Sequence, residues 1–211
     1  MENRAQRLRY EMVEFQISAR GIFDGRIIKA FQTVPRHMFV PKEDLFSAYS
    51  DRPLPIGRGQ TISQPYIVAE MCRLSGLTGE EKVLEIGTGS GYAAAILSML
   101  AVEVYTIERI HSLFESARRT IEKLGYDNVR CINGDGYNGY PDEAPFDVIL
   151  MSAAPVNIPE NLVQQLSENG RIVAPVGRDE QYLIRLKRTP DGLRNSIHGA
   201  VRFVPMKHGF S

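Results

Sequence analysis

The spacing of apolar residues changes along the chain and divides it into regions of different predicted structure. Between residues 4 and 31 apolar residues recur every three or four positions, which is typical of amphipathic helices. Gly21 interrupts this pattern, so we expect two helices that are broken near it. In the first helix Leu8, Met12 and Phe15 fall on one face, and we expect that face to be buried. The chain therefore begins with a small helical unit.

A segment rich in proline and glycine follows the predicted helices and covers residues 35–65. We expect it to be a loop, and a loop of this length is uncommon in a compact domain unless it binds or covers a ligand. Its last part, residues 53–65, is therefore a candidate binding loop. Helical spacing returns over residues 66–77, with Ile67 and Leu74 on one face.

From residue 82 onward, short apolar runs alternate with helical patterns, which predicts βαβ units and a doubly wound, mostly parallel sheet with helices on both faces. The last two strand patterns have no helix between them, and the turn Thr189-Pro190-Asp191-Gly192 favours antiparallel pairing at the sheet edge. A turn is also expected at Asn169-Gly170. The predicted strands cover residues 82–86, 102–107, 129–133, 146–151, 171–176, 181–188 and 199–205, and the predicted helices cover residues 92–100, 112–124 and 160–166.

A glycine-rich turn, Gly87-Thr88-Gly89-Ser90-Gly91, ends the first strand of the predicted sheet. Ligands of open parallel sheets bind beyond the carboxyl ends of the strands, and glycines allow a ligand to approach the backbone closely. A dinucleotide fingerprint has its third glycine at the sixth position, where this chain has Tyr92. The turn taken alone indicates either a ligand site or only a tight connection between strand and helix.

Acidic residues at neighbouring strand ends make the ligand more specific. Glu108 follows Gly87 by 21 positions (108 − 87), the distance expected for an acid that binds ribose, although it could also cap the helix near Ile110. Asp135 could accept a hydrogen bond from an adenine amino group or form an Asx-turn. Glu85 could face a cationic sulfonium or ammonium group. Because three carboxylates would repel a diphosphate, the set favours S-adenosylmethionine.

Longer strings of residues carry a more specific signal than the glycine turn, which many methyltransferases share. The most specific string is Gly59-Gln60-Thr61-Ile62-Ser63-Gln64-Pro65. The others are Val34-Pro35-Arg36 with Phe39-Val40, Pro55-Ile56-Gly57, residues 83–92, Glu108-Arg109, Gly134-Asp135-Gly136, Ala144-Pro145-Phe146-Asp147, Ala153-Ala154-Pro155 and Arg202-Phe203-Val204-Pro205. Over almost its full length the sequence thereby resembles the protein-L-isoaspartate O-methyltransferase family, whose members methylate isoaspartyl residues in aged proteins.

The resemblance implies a Rossmann-like methyltransferase fold with an antiparallel edge strand, an N-terminal helical extension and rearranged last strands. It implies one domain over residues 1–211, with helices and a substrate and cofactor loop over 1–65 and the Rossmann-like core over 66–211. The implied reaction moves a methyl group from S-adenosylmethionine to the free α-carboxylate of an isoaspartyl residue in a damaged protein or peptide. The products are the methyl ester and S-adenosylhomocysteine.

The resemblance also implies which residues form the site. Ser63 matches the serine that the family associates with catalysis, and we expect its hydroxyl to position the substrate carboxylate or its loop; an ST-turn before Pro65 is the alternative. The carboxylate is already ionised at neutral pH, so methyl transfer needs positioning and desolvation rather than a general base. The expected cofactor-binding residues are Thr61, Ile62, Ser63, Glu85, Gly87, Thr88, Gly89, Gly91, Glu108, Arg109, Asp135, Gly136 and Gln181. The expected substrate-binding residues are Ile56, Gly57, Ser63, Val201, Phe203 and Val204.

Composition limits the other possibilities. The 25 basic and 25 acidic residues give a formal net charge of zero, whereas a nucleic-acid binder is usually basic, so we expect no nucleic-acid partner. Cys72 and Cys131 fit neither a disulfide framework nor a metal site, and no apolar run is long enough to span a membrane. We therefore expect a cytoplasmic monomer without a metal. The alternatives are a methyltransferase for a small molecule or RNA, an adaptor that binds the cofactor without turnover, and, least favoured because of Tyr92, a dehydrogenase.

Overall fold

The computed structural model describes residues 2–45 and 47–210. In this part of the chain a seven-stranded sheet is flanked by helices and accompanied by a small two-stranded hairpin. The helices are α1 (Glu2–Met12), α2 (Gly25–Thr33), α3 (Pro65–Ser75), α4 (Tyr92–Ser98), α5 (His111–Leu124) and α6 (Glu160–Gln164). The strands are β1 (Leu54–Gly57), β2 (Gln60–Ile62), β3 (Lys82–Ile86), β4 (Glu103–Glu108), β5 (Val129–Asn133), β6 (Phe146–Met151), β7 (Leu166–Val176), β8 (Gln181–Thr189) and β9 (Gly192–Val201).

The strand order of the large sheet is β5-β4-β3-β6-β7-β8-β9. The first five strands in this order are parallel, while β8 is antiparallel to β7 and β9 is antiparallel to β8. The predicted Rossmann-like methyltransferase fold, with a mostly parallel sheet and an antiparallel edge, is confirmed. The last strands, for which the resemblance implied a rearrangement, lie side by side in chain order.

Apolar side chains of alternate strand residues form a core on each face of the sheet. In β3, Val83 packs with the core that also contains the N-terminal helices and α3, whereas Leu84 and Ile86 pack with the core on the opposite face. Both sides of this strand are buried, which explains why its sequence is an apolar run rather than an alternation. The carboxyl ends of the parallel strands therefore form a single edge between two solid layers.

Two predicted strand boundaries near the end of the chain are wrong. Strand β7 already begins at Leu166, and Asn169 with its φ of 64° lies inside it as an irregularity rather than in a turn before it. A side chain at Gly170 would lie 2.9 Å from the carbonyl oxygen of Ser167, so the distorted backbone requires glycine there. The last strand covers Gly192–Val201 and not residues 199–205, because the chain after Val201 leaves the sheet edge.

The N-terminal region confirms the predicted break at Gly21 but not the whole predicted apolar face. After α1 the chain forms a π-helical turn (Val13–Ile17) and a short 3₁₀ turn, which ends at Gly21 with a φ of 93°. Val13 and Ile17 are buried, whereas Phe15 is 64% exposed. The wider π turn rotates the residues after Met12 relative to an α-helix, so positions that α-helical spacing places inside point outward.

The predicted loop over residues 35–65 contains regular structure. It includes 3₁₀ turns at Arg36–Phe39 and Lys42–Asp44, and the antiparallel hairpin of β1 and β2. The hairpin is too short to show strand periodicity in the sequence. Its β1 strand lies against the glycine turn, because a Cβ added to Gly89 would lie 3.3 Å from the Cδ1 atom of Ile56. The predicted binding loop is therefore positioned beside the predicted ligand site.

Candidate active site

The chain order of the parallel strands reverses between β3 and β6, and a cleft opens at their carboxyl ends. The glycine turn follows β3, and Ser152 follows β6. The backbone N–H of Ser152 donates to the carbonyl of Ile86 at 2.8 Å, which keeps the two strand ends together. We call this space the glycine cleft. The predicted cofactor-binding residues that line it are Thr61, Ile62, Ser63, Glu85, Gly87, Thr88, Gly89, Glu108, Arg109 and Gly136.

The glycines of the turn have different tasks. Gly87, Gly89 and Gly91 all have positive φ angles of 96°, 54° and 88°. Gly91 does not line the cleft; it caps α4, and an added Cβ would lie 3.4 Å from Ala117 and Ile121 of α5. The structure therefore gives Gly91 a packing role, and the cofactor contact that the resemblance implied for it stays a prediction.

Glu85 places a carboxyl group at the closed end of the glycine cleft. Its side chain is fully buried, accepts a hydrogen bond from the Thr106 hydroxyl at 2.6 Å, and lies 3.4 Å from the Ser152 hydroxyl. Burial raises the pKa of Glu85 to about 8, so the group is mostly protonated at neutral pH. No cation pairs with it among the described residues. A buried acid with only hydroxyl partners fits a ligand that brings its own positive charge.

Glu108 lies just before the start of α5 and also lines the glycine cleft, and its predicted contact with a ribose stays a prediction. One carboxylate oxygen accepts the N–H of Gly89 at 2.9 Å, and the other accepts the N–H of Ile110 at 2.9 Å, directly before α5. The side chain is nearly buried and lines the glycine cleft. It therefore fixes the glycine turn against the start of α5 while keeping unshared electron pairs for a ligand hydroxyl.

Asp135 lies at the end of β5 but does not line the glycine cleft. One oxygen accepts the N–H of Tyr137 at 2.9 Å, which is the Asx-turn alternative, and the other accepts the N–H of Gly209 at 2.8 Å. Burial acts to raise the pKa of this carboxyl, but the N–H groups of Gly209 and Tyr137 outweigh it and lower the pKa. The Asx-turn is therefore present, and the adenine contact stays a prediction.

The residues after β9 form a C-terminal strap (residues 202–210) that crosses the carboxyl edge of the sheet. Ala154 pairs with this strap on both sides, since its N–H donates to Val204 and its carbonyl accepts from Met206. Farther along, Arg109 donates to the carbonyl of Gly209 at 3.0 Å, and the His208 ring stacks on Tyr137 with ring centres 3.6 Å apart. The strap therefore closes one side of the glycine cleft.

A second cleft, which we call the edge cleft, lies next to the end of β9. It contains the predicted substrate-binding residues Val201, Phe203 and Val204. Ile56 and Gly57 do not line it; Ile56 packs against the glycine turn. The residues that line both clefts are Thr61, Ser63, Ser152 and Val204. The two clefts consequently meet at one wall.

Gln181 contacts the strap and does not line the glycine cleft, and its predicted contact with the cofactor stays a prediction. Its side-chain nitrogen donates to the carbonyl of Phe203 at 3.1 Å, and its oxygen accepts the N–H of Phe203 at 2.6 Å. The nitrogen and the oxygen of this nearly buried amide therefore both bind the backbone of Phe203, which lines the edge cleft. We assign Gln181 to supporting the substrate side of the site.

Sequence reasoning missed several residues of the two clefts. Ser152 could have been found, because it follows the strand beside β3 at the switch point. Arg202 of the edge cleft stands in the string Arg202-Phe203-Val204-Pro205, which pointed to its neighbours. Arg20 of the edge cleft, and Met206 and Lys207 of the glycine cleft, carry no motif signal. They reach the site only because distant segments of the chain fold onto the sheet edge.

Neither a metal site nor a membrane span is found in residues 2–45 and 47–210. No cluster of three or more histidine, cysteine, aspartate or glutamate side chains there could hold a metal ion. No helix in that part of the chain has the length and apolar character needed to cross a bilayer. The thiols of Cys72 and Cys131 have pKa values raised to about 12 by burial, so both are unreactive at neutral pH.

Two curated relatives of this chain have the same name. A relative from Desulfosudis oleivorans, named protein-L-isoaspartate O-methyltransferase, is 50% identical over 216 residues, which cover 100% of this chain and 98% of the relative. A relative of the same name from Gloeobacter violaceus is 50% identical over 197 residues, covering 92% of this chain and 96% of the relative. The similarity therefore extends over whole chains.

Solved structures agree with the sequences. A protein-L-isoaspartate O-methyltransferase with 30% identity superposes with a TM-score of 0.86 over 98% of this chain and 67% of its own. A structure from Plasmodium falciparum, described as a putative protein-L-isoaspartate O-methyltransferase in complex with S-adenosyl-L-homocysteine, has 26% identity and a TM-score of 0.81 over 94% of this chain and 97% of its own.

The family model described as protein-L-isoaspartate(D-aspartate) O-methyltransferase matches residues 7–210. This match includes the glycine turn, the hairpin with Ser63 and the C-terminal strap, which together build the two clefts. The chain therefore belongs to the protein-L-isoaspartate(D-aspartate) O-methyltransferase family.

Proposed function

We propose that this protein transfers a methyl group from S-adenosylmethionine to the free α-carboxylate of L-isoaspartyl residues in damaged proteins and peptides. The observation that carries the proposal is the shared wall of the two clefts, formed by Thr61, Ser63, Ser152 and Val204. A donor in the glycine cleft and a peptide in the edge cleft would meet at this wall. Membership of the family supports the same reaction and the same donor.

The residues of the glycine cleft fit S-adenosylmethionine. The buried carboxyl of Glu85 suits a cationic amino-acid end, and Glu108 suits the ribose hydroxyls. A Cβ added to Gly136 would collide with the side chain of Ile86, so only glycine fits where this backbone packs against the end of β3 at the cleft. S-Adenosylmethionine supplies a methyl group on a positively charged sulfur.

The reaction is a single displacement without proton transfer. A lone pair of the carboxylate oxygen forms the new C–O bond, while the carbon–sulfur bond breaks and its electron pair returns to sulfur. The carboxylate loses its negative charge and the sulfur loses its positive charge, so the products are a neutral ester and a neutral thioether. Because charge disappears along the reaction, exclusion of water from the place where the two clefts meet accelerates methyl transfer.

The protein contributes position and a dry environment. Apolar side chains line the glycine cleft, among them Ile62, Val68 and Val204. The Ser63 hydroxyl can hold one oxygen of the substrate carboxylate and leave the other to react. Arg202 adds positive charge to the edge cleft, which attracts an acidic group to it. Arg20 also lines this cleft, but its charge is paired with Asp51 at 3.0 Å.

The edge cleft suits a substrate that is recognised through its backbone. It lies at the end of β9, which is the edge strand of the sheet and therefore has one side without a neighbouring strand. The Gln181 amide fixes the backbone of Phe203 in this region. An extended peptide can be held along such an edge whatever its side chains are, as a repair enzyme requires.

The test is a labelled methyl donor offered with two peptides that differ only in one linkage, isoaspartyl or normal aspartyl. We expect base-labile label in the isoaspartyl peptide alone, because only that residue has its free carboxylate on the α carbon. Equal labelling of both peptides would contradict the substrate. Tight donor binding without any label in either peptide would show that the chain is a binding adaptor.

A further inference from the structure

Arg36 is a buried charge that the reaction described above does not use. It belongs to the 3₁₀ turn between α2 and the hairpin, and its side chain is fully buried and is the largest of the fully buried side chains in the described part of the chain. Burial lowers the pKa of its guanidinium, but an arginine stays protonated at any physiological pH. The fold therefore contains a permanent positive charge beneath the site.

The Arg36 guanidinium has backbone partners and no acid in contact with it. Its Nε donates to the carbonyl of Ala48 at 2.7 Å, and its Nη2 donates to the carbonyl of Ser63 at 2.8 Å. Its Nη1 is buried without a hydrogen-bond partner, and none of the ion pairs among residues 2–45 and 47–210 includes it. The carbon at the centre of the guanidinium lies 4.7 Å from the centre of the Tyr92 ring.

A charge in this environment is expensive, so stability alone does not explain it. Removing a guanidinium from water costs several kcal/mol, and apolar residues of similar volume commonly replace buried charges without loss of stability. What an apolar residue cannot do is hold two carbonyl groups and an aromatic face in a fixed mutual position. The value of Arg36 lies in the segments that it connects.

One of those segments contains Ser63, and the other follows the glycine turn. Ser63 stands in the wall that both clefts share, and Tyr92 is the first residue of α4, immediately after the glycine turn. We propose that Arg36 is a positioning residue, which fixes the main chain of Ser63 relative to the glycine turn and so sets the approach of the carboxylate to the methyl group. This proposal rests on the proposed function.

Removal of Arg36 leaves the Ser63 peptide group without its side-chain anchor. In-line displacement requires reacting atoms about 3 to 3.5 Å apart, and a shift of about 1 Å can reduce the rate by about a hundredfold. Glu85 and Glu108, which we assign to the donor, make no hydrogen bond with Arg36. The expected defect is therefore in the chemical step and not in donor binding.

Arg9 provides a matched control for the substitution of Arg36. It is also a buried arginine, its Nε also donates to a backbone carbonyl, that of Gln32 at 2.7 Å, and one of its nitrogens is also without a partner. It lines neither cleft. R9M and R36M thus each remove a buried guanidinium that donates to a backbone carbonyl, but only Arg36 contacts Ser63.

We expect R36M to lower kcat with the isoaspartyl peptide about 10- to 100-fold, with the Kd of the donor within about threefold of wild type. R9M should keep kcat within about twofold. Equal kcat in R36M and wild type would overturn the proposal, and so would an equal loss of kcat in R9M. If the wild-type protein itself fails to methylate the peptide, the proposed function fails. The proposal on Arg36 is then tested by the hydrogen-exchange measurement below, which does not depend on activity.

A second measurement does not depend on activity or on the folding of R36M. R36K keeps the charge but can donate to only one of the two carbonyls in the same geometry. We expect hydrogen exchange over residues 60–66 to be faster in R36K than in wild type, and unchanged in R9K. Unchanged exchange over residues 60–66 in R36K would overturn the proposal.

Discussion

At the scale of single residues, Ser63 is the group with the clearest separable role. It lines both clefts, so its hydroxyl is available to an acceptor carboxylate without being required for the donor. We expect S63A to lower kcat by about a hundredfold, the cost of losing one well-placed donor, while the Kd of the methyl donor changes less than about threefold. Turnover assays and titration calorimetry on the same protein measure the two quantities.

Ser98 supplies the control for this prediction. Its hydroxyl donates to the carbonyl of Ala95 at 2.8 Å and lies in neither cleft, so S98A should match wild type in both measurements. If S63A loses donor affinity and turnover to the same extent, Ser63 serves the donor and the division of roles is wrong.

The buried carboxyl of Glu85 is expected to release a proton when the donor binds. Burial raises its pKa to about 8 in the ligand-free protein, so at pH 6.5 it is protonated, whereas beside the cationic donor it should be ionised. We expect donor binding at pH 6.5 to release about one proton per site, measured by calorimetry in buffers of different ionisation enthalpy. E85Q should release none. Proton release that is absent in wild type, or unchanged in E85Q, would contradict this role.

The same raised pKa gives Glu85 a defined effect on stability. The unfolded chain loses this proton near pH 4.5, whereas the folded protein keeps it up to a pH of about 8. The contribution of Glu85 to the free energy of unfolding is therefore complete below pH 4.5 and is lost as the pH rises toward 8. Donor binding reverses this pH dependence, because the donor requires the ionised carboxylate of Glu85, which is more populated at higher pH.

At the scale of elements, the C-terminal strap is predicted to hold the donor. Removal of residues 208–211 eliminates the contacts of Gly209 with Asp135 and Arg109 and the stacking of His208 on Tyr137. Each hydrogen bond is worth about 1 kcal/mol, so we expect the Kd of the donor to rise about tenfold and its dissociation to become faster. Calorimetry and stopped-flow mixing measure the two effects.

Phe210 is the control for the shortened strap. Its side chain is 69% exposed, so F210A should bind the donor as wild type does. Donor binding that is equally tight or tighter in the shortened protein would contradict a holding role, and would show instead that the strap competes with the donor.

The predictability of an element depended on whether local chemistry decides its structure. Strands β3, β5 and β6 begin and end where the sequence predicted, since each is a short segment with several apolar residues that ends at turn residues. Asn169-Gly170 also has turn chemistry, and it lies in the irregularity of β7 between Leu166 and Arg171, the positions that pair with β6 on either side of it. The exposure of Phe15 follows from the π turn, for which the sequence has no known signal.

The same distinction applies to the site. Glu85 and Glu108 could be predicted because they lie at strand ends, whose position follows from the alternation of strands and helices. The partners of Asp135 and Arg36 could not, because Gly209 is 74 positions from the former and Ser63 is 27 positions from the latter. Such contacts exist only after distant segments have packed on the sheet.

At the scale of the whole molecule, one edge of the sheet brings together four segments that are far apart in the sequence. The glycine turn and Ser152 come from the strands, the hairpin contributes Thr61 and Ser63, and the strap contributes Val204. The N-terminal unit supports the hairpin from behind through Arg36. We infer that this assembly lets donor and acceptor meet directly at the residues that line both clefts.

A crystal structure of the ternary complex with S-adenosylhomocysteine and an isoaspartyl peptide tests this claim most directly. We predict that the peptide lies in the edge cleft with its free α-carboxylate beside Ser63, one oxygen about 3 to 3.5 Å from the position that the transferred methyl carbon would occupy. A peptide bound elsewhere, or a carboxylate separated from the sulfur by the wall of Thr61 and Val204, would contradict the account.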